Sequence, residues 1–175
     1  LLPAGQRIAL KAGRFTIADI LSAHPTGQLA FANQGSASAV LGLIENEAFG
    51  IGRLANIRSD SVEGNVEASL TITLPLRRDI SFGDVRLEGH GKLTDGRASK
   101  LIGSHDAQAS TVVFDITDKA INARGDLLLS GVPVKLAWQH IFDALPERQP
   151  PLRLTATLDG ADRAQLGIDA SHLVH

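Results

Sequence analysis

The sequence predicts a mainly β fold: a long, curved antiparallel sheet that forms a β-groove or half-open sandwich, with one sizeable helix and short helical turns. Apolar and polar residues alternate through most of the chain, as they do in strands that bury one face. Only one segment has apolar residues at a sustained helical spacing. The longest alternation, NVEASLTITLPL at residues 65–76, would extend for roughly 36 Å at about 3.3 Å per residue.

The first third of the chain contains two strands and the helix. Alternation over residues 8–17 predicts the first strand, and a turn at 24–27 separates it from a short second strand at 29–31. Apolar residues then recur every three to four positions, which predicts a helix at Ala37–Glu47 with Ser36 as its N-cap.

The remaining two thirds are dominated by strands joined by short connections. Tight links at Thr117–Lys119 and Ser130–Gly131 indicate hairpins, and Thr94–Gly96 is predicted to form a turn. Short helical turns are expected at Gln139–Ala144 and at Ala161–Gln165, the second of them capped by Asp159. Strands are predicted at 66–74, 85–93, 112–116, 121–129, 132–138 and 152–158.

Composition limits the classes of function. The 17 basic and 19 acidic residues nearly cancel, and no segment combines positive charge with aromatic residues, so we do not expect nucleic acid as a partner. With six Phe, one Trp and no Tyr, a stacking platform for sugars or bases is also disfavoured. The absence of cysteine excludes disulfides and thiol chemistry.

No motif predicts catalysis, a cofactor or a metal site. Gly89–Thr94 resembles a phosphate-binding loop only superficially, because it continues a strand and lacks the required spacing. The six histidines have no paired metal-ligand spacing. His105 and Asp106 could form half of an acid–base pair, but a solvated pair near a turn explains them more simply. Asp115 and Asp118 flank a hairpin, where aspartate is favoured by turn geometry.

The apolar face of the strands is the candidate site, because one helix is too small to cover it. Three arrangements would solve this: the sheet folds onto itself, pairs with another copy, or leaves a groove for an apolar ligand. Trp138 is interpreted either as a core anchor or as part of such a site. The candidate ligand-binding residues are Val66, Leu70, Ile72, Leu74, Leu87, Phe114, Ile116, Leu127, Leu129, Val134, Leu136 and Trp138.

Several local patterns are similar to those of a known family. Gly64-Asn65-Val66 leads through an alternating strand to Leu74-Pro75-Leu76, and is followed by Gly125-Asp126-Leu127 and by Gly131-Val132-Pro133 ahead of Trp138 and Phe142. This combination resembles the AsmA-like proteins, particularly the YhdP and TamB group of Gram-negative envelopes. The likeness extends from about Ala37 to the end of the chain and includes no catalytic signature.

The resemblance implies a specific function. Members of this group are anchored in the inner membrane, extend through the periplasm, and form repeating β-grooves thought to carry phospholipid toward the outer membrane. We therefore expect a non-enzymatic lipid-binding or lipid-conducting module, with phospholipid acyl chains and adjacent repeats as its partners. A structural or protein-interaction domain of the envelope without a lipid ligand is the alternative.

The chain is expected to be a single β-rich domain over residues 1–175, taken from a longer envelope protein. Residues 1–35 belong either to this unit or to a preceding repeat. An isolated segment of this kind could also dimerise through an edge strand.

Overall fold

A computed structural model describes residues 8–18, 20–44, 59–142 and 144–168. The sheet is antiparallel and open, and its eight strands follow one another in sequence order. The predicted mainly β fold is therefore confirmed. The strands are β1 (Ile8–Ala18), β2 (Thr26–Ser36), β3 (Val62–Pro75), β4 (Arg86–Ile102), β5 (His105–Thr117), β6 (Ala120–Leu129), β7 (Val132–Ile141) and β8 (Arg153–Thr155).

Two short helices accompany the sheet where one sizeable helix was expected: α1 (Ala37–Ile44) and α2 (Gly160–Gln165). Helix α1 begins directly after Ser36, whose Oγ accepts a hydrogen bond from the Ala39 amide at 3.2 Å. Residues 45–47, the predicted end of this helix, lie outside the described residues. Asp159 caps α2 in a capping box with Asp162, which confirms the predicted cap and helix.

Two predicted turns were wrong because strand pairing overrides local turn propensity, and one predicted strand is shorter than expected. The turn expected at Thr94–Gly96 does not form, and β4 continues through it with β3 and β5 paired on either side. The helical turn expected at Gln139–Ala144 begins instead as strand, because β7 pairs with β6 as far as Ile141. A single helical turn lies later, at Pro146–Arg148. The strand expected at 152–158 is shortened to the three residues of β8.

Irregularities in three neighbouring strands line up across the sheet. The register between β3 and β4 shifts at Gly64, whose φ is +127°. Asp95 of β4, with φ of +52°, lies beside this shift. The register between β5 and β6 shifts between Gln108 and Val112. Bulges bend a strand and increase its twist, so we expect the sheet to bend along this line.

The sheet carries two hydrophobic clusters, and the half-buried Leu93 packs against both of them. In the larger core, the C-terminal segment contributes Leu154, Leu158 and Leu166 over a cluster of buried strand residues: Ala107, Val112, Leu127, Leu129, Val132 and Val134. In the smaller core, Ala37 and Val40 of α1 pack with Val66 and Ala68 of β3. Helix α1 and the C-terminal segment thus cover parts of the same sheet face.

Glycine lets large side chains lie flat across the centre of the sheet. A Cβ placed on Gly91 would lie 2.5 Å from Phe114 Cζ and 2.6 Å from the carbonyl oxygen of Glu67. Contacts this short would force the surrounding atoms apart. Phe114 therefore occupies the space above β4 that a larger residue would take.

This packing predicts a marked difference between two glycine substitutions. We expect Gly91→Ala to lower the free energy of unfolding by about 1–3 kcal/mol, as overpacking does. Gly13→Ala is the matched control, because Gly13 is also a strand glycine but has no atom within 4 Å of a built Cβ. Urea denaturation of both variants measures the difference, and equal stability of the two would contradict the packing described for Phe114.

Candidate ligand-binding face

One face of the sheet is predominantly apolar, and we call it the inner face. The strand registers align its side chains in rows that cross the sheet at right angles to the strands. One row is Phe31, Leu70, Gly89, Ile116, Ile121 and His140. The next row is Asn33, Ala68, Gly91, Phe114, Ala123 and Trp138.

All of the predicted ligand-binding residues lie on the inner face, but their exposure differs. Leu127, Leu129 and Val134 are buried beneath the C-terminal segment, so they form core and leave almost no surface for a ligand. Three more are also buried: Val66, Leu87 and Ile116. The half-buried members are Leu70, Ile72, Leu74, Phe114, Leu136 and Trp138.

The most open part of the inner face lies on β1 and β2, outside the predicted set. Phe15 is 56% exposed, Ile17 41% and Leu29 36%. Phe15 pairs with Leu29, which pairs with Ile72, so these side chains extend the same apolar rows. The alternation within 8–17 already contained the signal for Phe15 and Ile17. The alternation does not indicate that this end of the sheet remains uncovered.

The opposite, outer face carries the charges. Glu67 is the centre of a ladder across three strands: Lys92 Nζ lies 3.2 Å from Glu67 Oε2, and Gln34 Nε2 donates to Glu67 Oε1 at 3.1 Å. Arg124 and Asp115 form a second cross-strand pair at 3.3 Å. Such exposed pairs contribute little stability individually, but they distinguish a charged face from an apolar one.

Aromatic rings line the inner side of β7 and the residue that follows it. His140 is buried and stacks on Trp138 with ring centroids 6.0 Å apart. Its other neighbour, Phe142, meets it edge-on at 6.1 Å. Burial lowers the pKa of His140 below its ordinary value, because a charged imidazolium would lose its hydration in this apolar row.

Two polar arrangements lie outside the inner face. His105 Nδ1 and Ser130 Oγ are 3.0 Å apart, but among the described residues no carboxylate orients the imidazole, so the pair lacks the third member of a hydrolytic triad. Asp84 accepts hydrogen bonds from the Ser81 amide and hydroxyl and pairs with Arg77 at 2.6 Å. These contacts lower the pKa of Asp84 to about 2, and they hold the loop before β4.

No cluster of potential metal ligands occurs within the described parts of the chain. The helices described there are also too short or too polar to cross a membrane. Comparison of the chain with protein-family models, curated sequences and solved structures finds no match. The geometry of the inner face is therefore the basis for the proposed function.

The lowered pKa of His140 predicts a pH dependence of stability. The unfolded chain takes up a proton near pH 6.5, whereas the folded protein resists it, so stability is complete above pH 6.5 and falls as the pH decreases toward the folded-state pKa. The slope due to this residue cannot exceed about 1.4 kcal/mol per pH unit, the limit for one proton.

Denaturation between pH 7.5 and pH 5 would measure this slope. We expect His140→Phe, which keeps a ring in the aromatic row, to reduce the slope. His24 is exposed, so His24→Phe serves as the control and should leave the slope unchanged. An identical pH dependence in the wild type and in His140→Phe would contradict the assignment.

Proposed function

We propose that this domain is a non-enzymatic module that binds phospholipid acyl chains on its inner face. In this proposal it belongs to a periplasmic protein anchored in the inner membrane, and it serves phospholipid transport and outer-membrane biogenesis. The observation that carries the proposal is the apolar surface left open on β1 to β3. Helix α1 and the C-terminal segment cover other parts of the inner face, and Phe15, Ile17 and Leu29 remain exposed to solvent.

The dimensions of the sheet support an extended apolar ligand. The 14 residues of β3 span roughly 46 Å at about 3.3 Å per residue, whereas one leaflet of bilayer hydrocarbon is about 15 Å thick. An acyl chain therefore fits within the length of one strand. Each buried methylene contributes about 0.8 kcal/mol, so partial coverage of a chain by these side chains would already give measurable affinity.

The chemistry of the inner face also suits an acyl chain. The rows that cross the sheet contain aliphatic and aromatic side chains, and the two polar members named above are Asn33 and His140. The depressed pKa of His140 favours its neutral form. An apolar chain lying over these rows would meet no ionised group from them, while the charges of Glu67 and Lys92 face the other way.

A structural or protein-interaction domain remains the second candidate, and the packing of the sheet centre favours it. Phe114 lies over Gly91, while Ile116 and Leu70 lie over Gly89. The centre of the inner face is thus filled by its own side chains. A spacer or docking domain would have an inner face that is filled by its own side chains, and it would need no lipid.

Mass spectrometry of organic extracts from the purified protein distinguishes the two candidates. We expect the wild type to retain phospholipid, or to take it up from added vesicles. Ile17→Asp combined with Leu29→Asp should abolish retention, because the two carboxylates would meet the acyl chain without a partner. Both residues are exposed, so the variant should fold, which circular dichroism would verify.

The outer face offers a matched control. Val113 and Leu128 are 41% and 44% exposed and alternate with inner-face residues, so Val113→Asp with Leu128→Asp adds the same charge to the opposite side. Retention of lipid by this control and its loss from the inner-face variant would support the proposal. A wild type that neither contains nor acquires lipid would favour the structural alternative.

A further inference from the structure

The two edges of the sheet differ in backbone pairing. Among the described residues, β1 has a partner strand on one side only. Ten of its 11 residues pair with β2 on one side, and Lys11 lies at a bulge. In an antiparallel strand, alternate residues direct their N–H and C=O groups toward each edge. Within residues 8–18, 20–44, 59–142 and 144–168, no segment pairs with the other side of β1. Among these residues, that side therefore presents a row of backbone donors and acceptors that can template another strand.

At the opposite end of the sheet, the outward side of β7 is covered at several points. The short strand β8 pairs with Lys135–Ala137 in its centre. At one end, the Gln149 side chain accepts from the Ile141 amide at 2.9 Å and donates to the Ile141 carbonyl at 2.6 Å. Just before β7, Gln165 Nε2 donates to the Ser130 carbonyl. These contacts use backbone groups that a further strand would need, so they disfavour addition of a strand along β7.

The inner-face packing has the same asymmetry. Val132 on β7 is 1% exposed, whereas Phe15 on β1 is 56% exposed. Among the described residues, no strand places an apolar neighbour beside Phe15 and Ile17 on the open side of β1. A strand added there would place alternate apolar side chains beside them and would continue the rows of the inner face.

The outer face of β1 indicates the charge of the added strand. Lys11 and Arg14 are exposed, and no carboxylate among the described residues forms an ion pair with either. Elsewhere on the outer face, Lys92 and Arg124 each pair with an acidic residue on a neighbouring strand. An acidic strand would complete this pattern at the edge, whereas the β1 strand of a second copy would bring further positive charge to it.

We propose that the free edge of β1 binds an extended segment of a partner protein that alternates acidic and apolar side chains. The segment adds a ninth strand to the sheet. Its acidic side chains lie beside Lys11 and Arg14, and its apolar side chains lie beside Phe15 and Ile17. This recognition does not depend on whether the inner face holds lipid.

Three synthetic peptides test the proposal. The probe is a capped, fluorescent nine-residue peptide that alternates glutamate with valine. The second peptide has lysine in place of glutamate, and the third keeps glutamate but has alternate backbone amides methylated to remove its hydrogen-bond donors. Fluorescence anisotropy measures affinity, and hydrogen exchange locates the protected amides.

We expect the glutamate peptide to bind about fivefold to tenfold more tightly than the lysine peptide, as two cross-strand charge pairs would provide. Its binding should weaken with salt and should protect amides within 8–18. The methylated peptide should not bind, because β-addition requires backbone hydrogen bonds.

Variants of the protein with reversed charges on β1 provide a second test. Lys11→Glu with Arg14→Glu should invert the preference, so that the lysine peptide binds more tightly. Arg97→Glu with Lys135→Glu is the control, since both residues are exposed and the net charge changes equally, and it should keep the preference for the glutamate peptide. Unchanged preference in the β1 variant, binding of the methylated peptide, or protection at β7 would overturn the proposal. Self-association through β1 in place of peptide binding would overturn it in favour of a second copy.

Discussion

The structure depends on one constraint: successive side chains of a strand point to opposite faces of the sheet. Because apolar residues alternate with polar ones in nearly every strand, in-register pairing collects the apolar side chains into continuous rows. Phe31, Leu70 and Ile116 occupy one such row although they belong to distant parts of the chain. A slip of one residue in any strand would move that strand's apolar side chains to the charged face.

Two packed segments determine how this single apolar face is covered. The C-terminal segment packs on Val112, Leu127 and their neighbours. Helix α1 packs on Val66 and Ala68. Val66 and Val112 lie in one cross-strand row, and Leu93 between them packs against both clusters. The β1 end of the sheet lies outside both clusters.

Exposure of the inner face consequently increases from β7 toward β1, and both proposals concern that open end. The lipid hypothesis uses the surface of the face, where Ile17 and Leu29 could contact an acyl chain. The strand-addition hypothesis uses the edge, where one side of β1 has no partner strand and Lys11 and Arg14 form no ion pair within the described residues. The two are compatible, since an added strand would lengthen the apolar rows without covering them.

The sequence alone determined the sheet, its inner and outer faces, and the small helix at Gly160–Gln165. Alternation and the Asp159 cap are local features of the sequence, so they can be recognised without knowledge of the fold. It did not determine where strands end, because backbone pairing with β3 and β5 carries β4 straight through the turn-like Thr94–Gly96.

The tertiary structure also decided which apolar residues remain open. Leu127, Leu129 and Val134 have the same alternation as Leu70 and Ile72, yet the C-terminal segment buries them, while Phe15 stays exposed at an edge. Burial of a side chain depends on contacts between segments far apart in the chain. For that reason the composition of the inner face could be predicted from the sequence, but its accessible part could not.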